Sequence, residues 1–464
     1  MIDLSTILTA DARQPIYMQL VHGLRDAIAK GDIAQGSRLP SQRALAQDLG
    51  ISRSTVIQSY EQLQAEGYLL ARPGAGYFVA DVATIAELSS PVPAKPTHMP
   101  PRAERLQPGA PDTSLFPTRN WARTIARVAR NTPDALCRLH DAFGDLKLRE
   151  EIAAYLGRWR GISCSPEQIL VTSGAREALE LAIELVIDGQ DIGLESPGFV
   201  PLHRFAARSG WPIKWLNPGK QGPKLPSQLA KVTVLTPSHQ FPLGGTLPVA
   251  TRQAFLQAAH DQDAWIIEDD FDSEFRYAGQ PVPAMAALDR LGRCLYVGTF
   301  SKTFSHEIRL GYLLLPAALI TPMRSRFIHP SAGAGITAQR PLAHFMHDGQ
   351  YDRHIRRTRR HYAERYEAAI AALSDWPTRW GKFQTHRAGM QIAYHLNTTT
   401  KETDIQICAR AAAAGFAVGP LSRNDPVSAR QGILIGFCGA DHDIIGTEIA
   451  ELGSYIEHSF KTAF

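Results

Sequence analysis

The pentapeptide Gly298-Thr299-Phe300-Ser301-Lys302 closes a short apolar run that begins at Cys294, and Arg309 follows Lys302 by seven residues. Runs of the same kind recur along the chain at 169–172, 191–195, 231–236, 265–269 and 309–314, with segments of helical periodicity between them. A strand that is apolar along its whole length must be covered on both faces. The alternation therefore predicts an α/β fold, with a mostly parallel sheet held between helical layers, from about Leu106 to residue 464.

The first 80 residues follow a different rule. Ile16, Leu20, Leu24 and Ile28 stand at helical spacing and predict a helix over about 15–30. Pro40 and Ser41 open a second helix, with Leu45, Ala46 and Leu49 inward and Gly50 as its stop. Ser52 caps a third helix that carries Val56, Tyr60 and Leu63. Residues 68–72, the Pro73-Gly74 turn and residues 75–79 predict a hairpin. Three helices and a wing make a unit of 1–80. From 81 to 105, Pro91, Pro93, Pro96, Pro100 and Pro101 accompany few large apolar residues. That composition predicts a semi-extended linker, with the α/β domain over 106–464.

Composition excludes several classes of protein. A 44% hydrophobic and 20% charged chain of 464 residues is globular and too long for one ordinary core. Its formal charge of +4 permits nucleic-acid binding without arguing for it. The five cysteines are scattered and form no CxxC pair, so no metal site or disulfide framework is expected. No apolar run approaches the roughly 18 residues of a spanning helix, and a cytoplasmic protein without membrane contact is expected.

The short turn between the second and third helices has the spacing of a helix-turn-helix. Such a third helix lies in the major groove with its first residues against base edges. Arg53 and Thr55 stand there to read bases, while the Ser52 and Ser54 hydroxyls and free backbone N–H groups suit phosphate oxygens. Arg43 projects from the preceding helix toward the DNA backbone or a guanine, and Gly74 lets the wing tip approach the minor groove. Residues 15–80 resemble the winged helix-turn-helix of the GntR regulator family, on Leu39–Ala46 (LPSxRxLA), Ser52–Val56 (SRxTV) and Gly74–Gly76 (GxG). The resemblance implies double-stranded operator DNA as a partner.

In the second region an isolated lysine would ordinarily be a solvated surface residue. Around Lys302, however, Thr299 and Ser301 supply hydroxyls and Arg309 a fixed cation, a set that suits a phosphate dianion. Ser173-Gly174-Ala175 follows a strand and opens a helix, whose free N–H groups can cradle the same phosphate. Asp269, at the end of another strand, can pair with a pyridinium nitrogen. Lysine, acid and phosphate nest together form the constellation that holds pyridoxal 5′-phosphate (PLP).

Residues 106–464 are similar to fold-type-I aminotransferases, and the pair of domains looks like the MocR subfamily of GntR regulators. The matching stretches include Pro108–Asp112, Pro166–Gly174, Thr236–Pro242, Ile267–Phe275 and Gly298–Lys302 with Arg309–Tyr312. The resemblance implies a small C-terminal α+β subdomain and a Schiff base on Lys302. It places Asp269 at the ring nitrogen, Phe199 against the ring, and Arg309, Thr299 and Ser301 with the Ser173–Ala175 amides at the phosphate. It also implies a homodimer with its DNA heads exchanged head-to-tail.

Departures from the family pattern bear on activity. Phe199 and Phe271 replace common tyrosines, and Phe241 stands where aminotransferases place asparagine, so two partners for the phenolic oxygen are missing. The late strand 432–437 lacks the arginine that clamps a substrate carboxylate. The leading expectation is a PLP-dependent transcription regulator that senses a small amine or amino-acid-like effector at Lys302. The alternative is a working aminotransferase with a DNA-binding appendage. Three smaller signals remain. The basic run 353–361 reads as a solvated face or as an auxiliary phosphate-contacting surface. His239 and Gln240 read as ligand contacts or as turn residues. His306 and Glu307 stand where small residues are expected before Ile308-Arg309.

Overall fold

The computed structural model describes residues 14–81, 104–134, 141–279, 282–327, 334–397 and 402–461, with residues 458–461 as backbone only. Most of the expected linker, residues 82–103, and Cys137 lie outside them. Two compact units divide the chain between Met99 and Pro100.

Local signals account for the first unit. Helix α1 spans Ile16–Ala29, α2 Gln42–Leu49 and α3 Arg53–Ala65. Ser41 caps α2 by accepting the Ala44 N–H, and Ser52 caps α3 by accepting that of Thr55. Gly50 ends α2 at φ 64°, a left-handed conformation that costs glycine little. Strands Leu69–Arg72 and Gly76–Val79 pair antiparallel as the wing. Leu20, Leu24, Leu45, Val56, Tyr60, Leu63 and Val79 form one core, and each contributes roughly 2 kcal/mol on burial. Leu49, expected inward, is half-buried, and Ile16 is exposed.

The second unit is built on a seven-stranded sheet. Its spatial order is Ile169–Thr172, Gly311–Leu314, Cys294–Thr299, Trp265–Asp270, Val232–Leu235, Ile192–Glu195 and Ile213–Leu216. The expectation of a mostly parallel sheet holds with one exception, because Gly311–Leu314 runs antiparallel to both its neighbours. The helix after Ser173 spans Ala175–Val186 and packs Ala178, Leu179, Ala182 and Ile183 onto one face. An antiparallel four-stranded sheet, in the order Gly381–Phe383, Gln391–Leu396, Gly432–Gly436 and Gly419–Pro420, forms the smaller subdomain. The 25-residue helix Gln350–Ser374 packs on it with His442–Lys461. Among the described residues no helix is long and apolar enough to cross a membrane, and no cluster suits a metal ion.

Gly436 couples this small sheet to the segment before the first sheet. A Cβ there would meet Gln107 O at 2.0 Å, and the Gly436 N–H donates to Leu106 O at 2.9 Å. Gly436→Ala must therefore push back the backbone leading into Gly109. Thermal denaturation of the variant is expected to show a loss of about 1–3 kcal/mol, as for an overpacked core.

Candidate functional site

In the first unit the start of α3 is open to solvent. Arg53 and Ser54 are exposed and Thr55 is half-buried. Ser52 Oγ accepts the Thr55 N–H at 3.1 Å and lies 2.8 Å from Ser54 Oγ and 2.7 Å from Thr55 Oγ1. Ser52 thus fixes the helix start, and the guanidinium of Arg53 projects from a pre-ordered turn. Arg43 is exposed on α2. Gly74 sits at the wing tip with φ 74° and open space where a Cβ would be, so a nucleic-acid backbone can approach it closely.

In the second unit Asp269, Thr299 and the Ser173-Gly174 turn lie at the ends of neighbouring strands within the large sheet. Val297 pairs with Asp269, and Thr299 pairs with Gly311, which in turn pairs with Thr172. Ser173 and Gly174 follow that row directly. A Cβ on Gly311 would lie 2.7 Å from Gly174 C and 2.9 Å from Ala175 N, which brings the helix N-terminus against the strand carrying Thr299. Lys302 Nζ donates to Gly109 O at 2.7 Å. Burial lowers the lysine pKa, against the opposing pull of Asp272, so a neutral amine is accessible there. Gly109 has φ 63°, and a Cβ would meet Lys302 Nζ at 3.0 Å.

Asp269 is 8% exposed and its Oδ1 has no hydrogen-bond partner. Burial, then the neighbouring carboxylates Asp270 and Glu195, push it up to about 7. Glu195 stands at the end of its own strand with Oε2 accepting from Thr236 Oγ1 at 2.5 Å. Its Oε1 is also unpartnered, and burial raises it to about 7. Asp270, one residue on, faces the other side of the sheet. It meets Arg160 Nε at 2.7 Å and the Tyr296 hydroxyl at 2.6 Å, and it is therefore a structural carboxylate.

Both raised carboxyls give the cofactor-free domain a pH dependence. Each binds its proton more tightly in the fold than in the unfolded chain. Their contribution is full below the ordinary carboxylate range and is lost as pH rises through about 7. Glu195→Gln should therefore gain melting temperature relative to the parent as pH rises from about 5 to about 8, with the two curves converging at the acid end.

Three phenylalanines pack together here, with the His239 ring 6.0 Å from that of Phe271. Phe241 meets Phe199 edge-on at 6.2 Å between ring centroids and Phe271 at 5.6 Å. His239, which the sequence left open between ligand and turn, pairs with the buried Asp272 at 3.0 Å. Gln240 has a turn role: its Nε2 donates to Pro197 O and Phe241 O, and its Oε1 accepts from Leu243. Arg309 lies at φ 50° just before its strand, with the residue exposed. The expected strand 309–314 thus starts at Gly311, because a left-handed residue cannot continue a ladder. His306 and Glu307 form a single turn that Ser305 caps at 3.2 Å. Ser301 donates its N–H to Thr299 Oγ1 at 3.1 Å.

The basic run splits in two. His354 is buried against Thr303 O at 3.1 Å and pushed down to about 4 by that burial. Arg353, Arg356, Arg357 and Arg360 are exposed. Several of the contacts above join residues far apart in sequence and gave no local signal: Gly109 with Lys302, His239 with Asp272, and Arg160 with Asp270. Glu195 could have been noticed, since an acid closing an apolar strand is buried with it.

Residues 16–79 match the family described as bacterial regulatory proteins, gntR family, and residues 106–406 match aminotransferase class I and II. The chain is 35% identical over 462 residues to the probable rhizopine catabolism regulatory protein MocR of Rhizobium meliloti, covering 94% of this chain and 92% of that one. It is 32% identical to the pyridoxine biosynthesis transcriptional regulator PdxR of Corynebacterium glutamicum, covering 98% and 99%. Among solved structures, the second unit is similar to a kynurenine aminotransferase of Pyrococcus horikoshii, with TM-score 0.69, 24% identity and 76% and 90% coverage. It is also similar to the α-aminoadipate aminotransferase LysN of Thermus thermophilus, with TM-score 0.70, 21% identity and 77% and 92% coverage. A winged DNA reader joined to a fold-type-I aminotransferase domain defines a transcription regulator built on an enzyme fold. The chain belongs to the MocR subfamily of GntR-type transcription regulators.

Proposed function

We propose that this regulator holds PLP at Lys302 and senses a small amine or amino-acid-like effector there, so that a homodimer changes how it presents its DNA heads. One observation carries the reading. Lys302, half-buried with its Nζ on Gly109 O, follows the strand that pairs with the one carrying the unpartnered Oδ1 of Asp269, and the helix N-terminus at Gly174 lies against the strand on its other side. The donor set fits the cofactor. A buried carboxyl oxygen without a partner suits a ring N–H, and the close approach of Gly311 to Gly174 gathers phosphate donors from two elements.

In this reading Asp269 binds the ring nitrogen and Phe199 lies against the ring. Ser173, Gly174, Ala175, Thr299, Ser301 and Arg309 take the phosphate. PLP, when bound, supplies an aldehyde for reversible condensation with primary amines and an electron-withdrawing ring. Burial keeps the Lys302 amine available as a nucleophile. The Phe199, Phe241 and Phe271 wall excludes water from the ring face. The strand Gly432–Gly436, apolar and buried, offers no cation to clamp a substrate carboxylate. That favours sensing over turnover.

Residues 1–80 form the DNA-reading head, 81–105 a linker and 106–464 the effector domain. Proline-rich linkers span about 3.1 Å per residue where extended, so about 25 residues reach a partner subunit and support a head-to-tail dimer. Arg53, Thr55 and Arg43, with the Ser52 and Ser54 hydroxyls and the backbone at Gly74, meet the operator in this arrangement.

Titrating amines into the purified protein, with cofactor absorbance and operator affinity followed on the same sample, tests the reading. An amine that shifts the absorbance is expected to shift operator affinity as well. A panel that moves the first and never the second overturns the sensing role. Operators whose half-site spacing is changed by half a helical turn should bind at least about tenfold more weakly, because two heads on one dimer must face the same side of the duplex.

A further inference from the structure

A cavity of about 190 Å³ opens beside the segment after Asp270, and neither Lys302 nor Asp269 lines it. A cavity of roughly 150 Å³ takes one benzene ring, so this one has room for a small molecule. Its walls are polar. Ser273 Oγ is buried there without a hydrogen-bond partner. His239 meets Asp272 through Nδ1 at 3.0 Å, and its Nε2 has no partner among the described residues.

Two arginines that line the cavity form no ion pair among the described residues. Arg276 donates from Nη2 to Thr246 Oγ1 at 2.7 Å, and burial, then the neighbouring Arg160, lowers its pKa against the pull of Asp272. Arg359, on Gln350–Ser374, holds Cζ 5.5 Å from the Trp159 ring centroid. It is half-buried, whereas Arg353, Arg356, Arg357 and Arg360 of the same basic run are exposed. The other charges at the cavity are matched. Arg160 pairs with Asp270 at 2.7 Å, Arg158 with Asp352 at 3.4 Å and Asp272 with His239. Glu274 accepts the Tyr155 hydroxyl, and burial with the nearby Asp270 pushes its pKa up, which favours its neutral form. The cavity is left with positive charge and an unused hydroxyl. A half-buried guanidinium carries a desolvation cost that an anion offsets, and its planar fork suits carboxylate and phosphate oxygens.

We propose that this cavity is a second ligand site, which takes a small dianion, a dicarboxylate or a phosphate, on Arg276, Arg359 and the Ser273 hydroxyl. The ligand binds whole, and no covalent bond is made or broken. His239 Nε2 supplies a further polar contact, with the ring held in place by Asp272. The site does not depend on the assignment of PLP to Lys302 and stands or falls without it.

Isothermal titration calorimetry of the full-length protein with succinate and, separately, with inorganic phosphate tests this, and the tighter of the two names the ligand class. Arg359→Ala is expected to weaken binding at least about tenfold, the scale of a lost hydrogen bond to a charged group. Ser273→Ala removes a hydroxyl that holds nothing in the protein, so the fold is retained, and a loss of about fivefold is expected for one hydrogen bond. Arg356→Ala, on the same helix and outside the cavity, should bind as the parent does. No binding of either dianion to the parent overturns the site. Unchanged affinity in Ser273→Ala or in Arg359→Ala also overturns it, because the anion would then lie elsewhere. An Arg356→Ala loss equal to that of Arg359→Ala overturns it as well, since the effect would be one of general surface charge.

Discussion

Lys302→Ala is expected to abolish covalent retention of PLP. The parent protein, incubated with PLP and reduced with borohydride, should carry the label on the peptide containing Lys302. The alanine variant should lose essentially all of it. The size of the effect follows from chemistry: the amine held at Gly109 O is that of Lys302, and a covalent bond has no partial substitute. Non-covalent PLP should still bind the variant through Asp269 and the cradle at Ser173–Ala175, Thr299, Ser301 and Arg309. The loss of that lysine removes one bond and leaves these donors in place. Equal labelling of parent and variant, or a parent that takes no label, would contradict the assignment.

Removing residues 1–80 should eliminate operator binding. The first unit has its own core, from Leu20 through Tyr60 to Val79, and supplies the exposed helix start. Within it, Arg53→Ala should cost about 1–3 kcal/mol and relax the base preference at one operator position, as for the loss of a bidentate arginine–base contact. Arg43→Ala should weaken binding more evenly across sequences and flatten the salt dependence, as for a phosphate contact. Gel-shift titrations at two salt concentrations with single-base operator variants separate the two behaviours. If the truncated chain binds operator as well as the full one, the exposed arginines Arg353, Arg356, Arg357 and Arg360 become the reader.

The head was legible because its signals are local. Ser41 and Ser52 cap helices by contacts three residues away, and Gly50 takes a conformation that depends on its own lack of a side chain. Periodicity of 3.6 residues needs no knowledge of the partner face. The large sheet was legible for a similar reason, since an apolar strand between amphipathic helices has few architectures open to it. Lys302, Asp269 and the turn at Ser173 could be grouped from residue type and position at strand ends, where α/β folds gather ligands.

Arg309 shows where that reasoning stopped. The apolar run placed it in a strand, but the close fit of Gly311 against Gly174 fixes the strand two residues later, and Arg309 takes a left-handed conformation before it. Ser173 shows a different limit. Its N–H was counted among the free donors of the helix start, yet the helix begins one residue later, with Gly174 as its cap, and Glu177 reaches back to take the Ser173 N–H.

The sequence by itself determined the helices and wing of the head, the α/β character of the remainder, and the residue types at the candidate cofactor site. These follow from short-range periodicity, capping and the need to bury apolar strands. Only the tertiary structure decided which groups at the site are already satisfied. It set Gly109 O against Lys302 across 193 residues of chain and Asp272 against His239 across 33. It also left Asp269 and Glu195 each with a buried oxygen that has no partner. The physical reason is that the strength of a charge or a hydrogen bond depends on what surrounds it. Those surroundings are assembled from segments that share no local pattern.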